Sequence, residues 1–343
     1  YRYFVGLAHL FLFFKQGLII GALKQRNLES VKSFPKADLH NHFVLGGSRQ
    51  YLRRMTGAEI EPVKHPLSSM DEMHAWNRRN LGDRFDTSEM RRLLIRAAFQ
   101  QARDDGVTVL EIGEDVWGLG EFFHNDVEEL VESFAAAQRD IAPHIELRLQ
   151  IGLSRHCPIG YLEEGLSHFW GNRAFYSIDL YGDELAQPIE NFKSIYRRAK
   201  AEGLRLKAHV GEWGTAEDVR RAVEELELDE VQHGISAVHD AAVVRFLADH
   251  HIRLNITPSS NVLLGRVPSL SGHPVGRLYR SGVDVTINSD DVLIFDSDVS
   301  KEYLRLYEAG CLSAEELDDI RKNGLKAREK IDRRDRRADS YSV

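Results

Sequence analysis

Four short segments of this chain end in side chains that bind metals or move protons. They are Ala37-Asp38-Leu39-His40-Asn41-His42, Lys207-Ala208-His209-Val210-Gly211-Glu212, Val231-Gln232-His233-Gly234 and Thr286-Ile287-Asn288-Ser289-Asp290-Asp291. His40 and His42 stand two apart on what reads as a strand, so both point to one face. Two imidazoles on an inward face displace aliphatic packing and bring ring nitrogens that need partners. A shared metal ion satisfies one nitrogen on each ring; an edge strand facing water is the alternative. His209 closes another apolar run, three residues ahead of Glu212, and alone would read as a hydrogen-bonded core histidine. Zinc accepts imidazole nitrogen and carboxylate oxygen, and a catalytic zinc keeps one position for water. His40, His42, His209 and Asp290 would supply those protein ligands. Asp290 and Asp291 are adjacent acids that repel unless a cation or hydrogen bonds separate their roles, although Ser-Asp-Asp also suits a turn or helix cap. With the metal on Asp290, Asp291 turns to substrate, and His233 suits a polar role beside metal-held water. The four segments together propose a mononuclear metal hydrolase.

Such residues, distant in sequence, need a frame that brings them together. From residue 34 onward, strand-like and helix-like segments alternate without a long linker, a low-complexity stretch or an internal repeat. Strands are expected at 37–41, 107–112, 145–151, 175–180, 204–210, 230–233, 252–256 and 283–288, each apolar or β-branched and flanked by turn formers. Helical spacing lies between them. In 215–228, Val219, Ala222, Val223 and Leu226 recur on one face, and Thr215 with Asp218 marks a capping-box start. Eight strands alternating with helices predict an α/β fold, a closed (β/α)8 TIM-type barrel. Barrel enzymes carry their chemistry at the C-terminal strand ends, which is where the first, fifth, sixth and eighth strands place the residues above. An open sheet would keep its first and last strands apart.

The domain plan that follows is a hydrophobic helical segment at 1–33, a barrel at 34–330 and a basic tail at 331–343. Residues 3–23 are rich in Phe, Leu and Ile, but Lys15 and Gln16 interrupt them. The uncharged run is then shorter than the roughly 20 residues a membrane helix needs. A helix packed on the barrel or on a second subunit is the favoured reading, which makes this segment a candidate surface for homo-oligomers. The chain opens on Tyr1 rather than Met and reads as a trimmed or partial product. The 45 Lys and Arg against 53 Asp and Glu give a net charge of −8, so charge does not suggest a nucleic-acid partner. Two cysteines, Cys157 and Cys311, build neither a disulfide framework nor a thiolate zinc site. A reducing, cytoplasmic setting fits.

The chain resembles the adenosine deaminase family of the amidohydrolase superfamily over roughly residues 34–330. The resemblance rests on Pro35-Lys36-Ala37-Asp38-Leu39-His40-Asn41-His42, Ile178-Asp179-Leu180-Tyr181-Gly182-Asp183-Glu184 and His209-Val210-Gly211-Glu212. It continues through His233-Gly234-Ile235, Thr257-Pro258-Ser259-Ser260-Asn261, His273-Pro274 and Asn288-Ser289-Asp290-Asp291. It implies one zinc ion per chain on His40, His42, His209 and Asp290, with Glu212 as proton shuttle and His233 supporting the attacking hydroxide. It further implies purine contacts from Asp291 to N7 and from the Gly182 N–H to N3. The expected reaction converts a 6-aminopurine (adenosine, a 5′-modified adenosine, a nucleotide or adenine) to the 6-oxopurine with release of ammonia. One departure bears on substrate. The family's short Leu-Asp-Gly or Leu-Glu-Gly segment, whose acid grips the ribose 5′-hydroxyl, is replaced by Phe43-Val44-Leu45-Gly46-Gly47. Arg49, Arg53 and Arg54 follow, and either bind an anion or cover the surface. Two other classes stay open: a barrel metal phosphoesterase, which would hold two or more metals, and a catalytically silent deaminase-like binding module of a longer protein.

Overall fold

Eight parallel strands form one sheet in chain order. The computed structural model describes residues 19–326. The strands are β1 (Lys36–Asp38), β2 (Val107–Asp115), β3 (Glu146–Ser154), β4 (Phe175–Tyr181), β5 (Arg205–Val210), β6 (Glu230–His233), β7 (Arg253–Ile256) and β8 (Asp284–Ile287). Helices connect and surround them, giving the barrel expected from the sequence. The expected helix near 215–228 runs Ala216–Leu226 with a Thr215/Asp218 capping box, and it buries Val219, Ala222, Val223 and Leu226. The first 18 residues of the expected N-terminal segment and the basic tail lie outside the described residues. Residues 19–24 and Leu28–Lys32 are helical and press Ile19, Leu23 and Val31 fully into the core. No helix among the described residues is long and apolar enough to cross a membrane.

The barrel closes at an unusual seam. Between β1 and β8 there is a single bridge, Asn41 with Asp290, in place of a ladder. Side chains make up the difference. Asp38 Oδ1 accepts the Ser289 N–H at 3.1 Å, and its Oδ2 accepts the Ser289 hydroxyl at 2.5 Å and the Asn41 amide at 3.1 Å. Asn288 Oδ1 accepts the Leu39 N–H at 2.8 Å, and the Asp290 N–H meets the His40 carbonyl at 2.9 Å. Strand β1 therefore ends at Asp38 rather than at 41. His40 and His42 are not strand neighbours, and what orients them is this clasp.

Below the mouth, the barrel interior is polar and paired. Lys207 Nζ lies 2.8 Å from Glu111 and 3.5 Å from Glu230, and donates to the Leu39 carbonyl at 2.9 Å. Asn255 bridges Glu230 and Gln232, and Thr286 donates to Asn255 at 2.7 Å. A buried charge without partners would be costly. Here each charge has partners, and the lattice ties strands β2, β5, β6, β7 and β8 into one rigid floor.

Candidate active site

Three imidazoles meet above that floor. His40 Nε2 and His209 Nε2 are 3.0 Å apart, and His209 Nε2 is 3.2 Å from His42 Nε2. Asp290 Oδ1 stands 3.7 Å from His40 Nε2 and 3.5 Å from His42 Nε2. Zinc ligands at about 2.0–2.1 Å in tetrahedral array stand about 3.3 Å from one another, close to these four separations. The proton positions point the same way. His40 Nδ1 faces the Asn255 carbonyl at 3.0 Å, and His209 Nδ1 faces Asp179 Oδ1 at 3.3 Å. Each Nδ1 must carry the hydrogen, so each Nε2 turns a lone pair inward. Burial keeps both rings from protonating. Lone pairs facing at 3.0 Å repel unless a cation lies between them.

Backbone strain marks two of these positions. His233 (φ 62°) and Asp290 (φ 59°) are held in the left-handed region, at about 1–3 kcal/mol each for a residue other than glycine. The seam and the flanking turns enforce this conformation, and it turns both side chains toward the cluster.

Glu212 and His233 sit beside the imidazoles. Glu212 Oε1 accepts from Asn261 Nδ2 at 2.8 Å and lies 3.5 Å from His233 Nδ1. Burial first, then the Asp290 and Glu184 carboxylates, push the Glu212 pKa up to about 8, so it carries a proton at neutral pH. Burial lowers the His233 pKa to about 3, leaving that ring neutral. Its Nδ1 contacts Thr257 Oγ1 at 3.0 Å and Asn261 Nδ2 at 3.1 Å. Asp291 is buried, its Oδ1 has no hydrogen-bond partner, and burial and the neighbouring Asp290 charge raise its pKa well above the carboxylate range. Gly182, at φ 93°, lies across the same cavity. That cavity encloses about 540 Å³ and is lined by His42, Gly182, His209, Glu212, His233, Asp290 and Asp291, with His40 behind them.

Several residues that shape the site carried no role in the sequence reading. Glu184 accepts three successive backbone N–H groups, from Gly211 at 2.5 Å, Glu212 at 3.1 Å and Trp213 at 2.8 Å. It thereby fixes the loop that presents Glu212. Asp179 and Asn255 set the tautomers of His209 and His40, and His273 Nε2 meets Asn261 Oδ1 at 3.3 Å. The quoted motifs contain Asp179, Glu184, Asn261 and His273, but nothing in their spacing shows which partner each would meet. The arginines after the altered loop lie elsewhere. Arg49 is held by Asp296 at 2.6 Å and by two carbonyls, Arg53 pairs with Glu59, and Arg54 covers Tyr51. They cover surface. The metal-capable groups found among the described residues, His40/His209/His233 and His40/His42/Asp290, share His40 and form one cluster.

Comparison with known proteins agrees with this geometry. The adenosine deaminase family model matches residues 83–338. A putative adenosine/adenine deaminase of Treponema pallidum is 31% identical over 288 residues, covering 84% of this chain and 96% of that protein. An adenine deaminase from Arthrobacter aurescens superposes with a TM-score of 0.72 at 25% identity, covering 88% and 95% of the two chains. An amidohydrolase of Burkholderia ambifaria, solved with bound zinc, gives a TM-score of 0.75 at 21% identity and 91% coverage of each chain, a likeness of fold.

Proposed function

The chain belongs to the adenosine deaminase family, and from that membership we propose that it hydrolyses a 6-aminopurine to the 6-oxopurine and ammonia, using one zinc ion. The observation that carries this reading is the pair of inward lone pairs on His40 and His209, 3.0 Å apart, with His42 and Asp290 completing the donor set. His40, His42, His209 and Asp290 hold the ion. When bound, zinc lowers the pKa of water to about 7 and so supplies a nucleophile at neutral pH.

The protein's own groups do the rest. Protonated Glu212 donates to ring N1 as oxygen adds at C6, which removes the ring's aromaticity at that edge. Neutral His233 orients the incoming oxygen. Asp291, holding a proton on a carboxyl whose Oδ1 has no protein partner, donates to N7, and the Gly182 N–H contacts N3. Glu212, now a carboxylate, takes the proton from the added oxygen and passes it to the amine, so that the C6–N bond breaks, ammonia leaves and C6 keeps a carbonyl oxygen. The unpaired, buried thiols Cys157 and Cys311 suit a reducing cytoplasm. The Treponema and Arthrobacter relatives are named for the same chemistry, and the Burkholderia structure holds zinc. An ammonia-release screen over adenine, adenosine and AMP, run alongside metal analysis, tests the reading. Turnover of a 6-aminopurine with one zinc per chain is expected. No deamination by zinc-loaded protein, or two metals per chain as a phosphoesterase would hold, rejects it.

A further inference from the structure

Beyond the purine, the cavity has a second compartment whose chemistry names the rest of the substrate. A concavity of about 460 Å³, lined by Trp117, His156, Cys157, Pro158 and Tyr161, shares Trp117 and His156 with the main cavity. If Gly182 meets purine N3, then N9, bonded to the same ring carbon C4, lies on the Gly182 side of the ring. A side chain added at Gly182 would have Arg155 N and His156 Nδ1 as its nearest neighbours, both at 3.8 Å. The second compartment is thus within reach of a substituent at N9 by way of His156 and Trp117, which line both concavities.

That exit is apolar. Among the described residues, the exposed large hydrophobics are Met55, Trp117, Tyr161 and Leu185, and the last three follow β2, β3 and β4 at the barrel mouth. Trp117 is 37% exposed, Tyr161 47% and Leu185 68%. Apolar surface gathered at a cavity mouth marks a binding surface rather than scatter. The exit also offers an anion little. Arg91, the buried guanidinium of the cavity wall, is engaged by both oxygens of Glu114. It is also boxed by Phe43 at 4.9 Å, Trp117 at 5.3 Å and Phe122 at 4.6 Å. Beside it, Asp115 is a buried acid. On the rim, exposed Arg78 shares the cavity lining with two exposed acids, Asp83 and Asp86.

We propose that the site takes an uncharged 6-aminopurine nucleoside with an apolar 5′ substituent, such as a 5′-thioether, which lies on the shelf formed by Trp117, Pro158 and Tyr161. This rests on the purine placement proposed above. Steady-state kcat/KM is measured on zinc-loaded protein for adenine, adenosine, AMP, 5′-deoxy-5′-methylthioadenosine and its butylthio analogue. The thioethers are expected to exceed adenosine by about 10-fold, the range a few buried methylenes command, with AMP the poorest. Replacing surface-exposed Tyr161 (Tyr161→Ala) should shrink the thioether-to-adenosine ratio by about 5-fold, equivalent to removing part of one apolar wall. If AMP is preferred, if thioethers are no better than adenosine, or if the ratio is unmoved in Tyr161→Ala, the shelf is not a substrate subsite although deamination stands. If no 6-aminopurine is deaminated at all, the functional reading falls and takes the shelf with it.

Discussion

Glu212 holds its proton because burial, Asp290 and Glu184 together outweigh the Asn261 hydrogen bond and the Arg266 charge, which favour the anion. Glu212→Gln keeps the shape and removes the transferable proton. We expect it to bind zinc stoichiometrically while turnover drops by about 10²–10⁴, the usual contribution of a positioned acid; unchanged kcat would remove Glu212 from the reaction. Its anchor can be tested separately. In Glu184→Gln an amide nitrogen faces three N–H donors, and an unpaired buried donor costs about 1–3 kcal/mol. A reduced kcat with KM and zinc content nearly preserved is the expected kinetic signature of a misplaced Glu212 loop. Asp179→Ala frees the outer nitrogen of His209 and should weaken zinc binding about 10–100-fold in a chelator competition. At this scale the sequence exposes the candidate ligands only in combination, because His-x-His alone also suits an edge strand and Ser-Asp-Asp a turn or cap. It hides the anchors, because a carboxylate such as Glu184 looks the same whether it caps a loop or faces solvent.

Among elements, strand existence was legible and strand ends were not. Alternation of apolar runs with helical spacing marked all eight strands, and the capping box at Thr215 marked a helix start. The expected strand at 37–41 stops at Asp38 because the chain there bonds to Asn288 and Ser289 through side chains, a partnership 250 residues away that periodicity does not encode. Asp38→Ala should therefore act on two properties at once. It strands the Ser289 N–H and should lower stability by about 3 kcal/mol, with zinc affinity falling in parallel in denaturation and metal titrations. A second element, the helix Val299–Glu308, offers a pH test. Its Glu302 accepts the Ser259 N–H, and burial raises its pKa from 4.5 to about 7. The folded state then binds the proton more tightly than the unfolded chain, so stability declines as pH rises from about 4.5 to 7. The full excursion is at most about 3 kcal/mol. Thermal melts of Glu302→Gln should lose that slope, and an identical slope would exclude Glu302 as its source.

Taken whole, the molecule brings parts from its two ends to one proposed metal site, so a metal bound there would be linked to the fold. An ion that binds only the folded barrel adds stability by mass action, about 4 kcal/mol at a thousandfold excess over its Kd. Stripping the zinc with a chelator should lower the melting temperature, and restoring the metal should recover it. The closed barrel was legible because four chemical segments on strands one, five, six and eight can converge only if the sheet curls round. The apolar shelf was not, since no spacing or motif singles out Trp117, Pro158 and Tyr161, and only the tertiary arrangement gathers them at the rim.

The clasp of Asp38 and Asn41 with Ser289 and Asp290 also sets an order of events during synthesis. His40 and His42 leave the ribosome long before Asp290 exists, and they remain separate, weak donors until the final strand docks. On the proposed ligand set, tight uptake of the ion would therefore certify a finished barrel: a polypeptide halted anywhere before residue 290 lacks the fourth ligand.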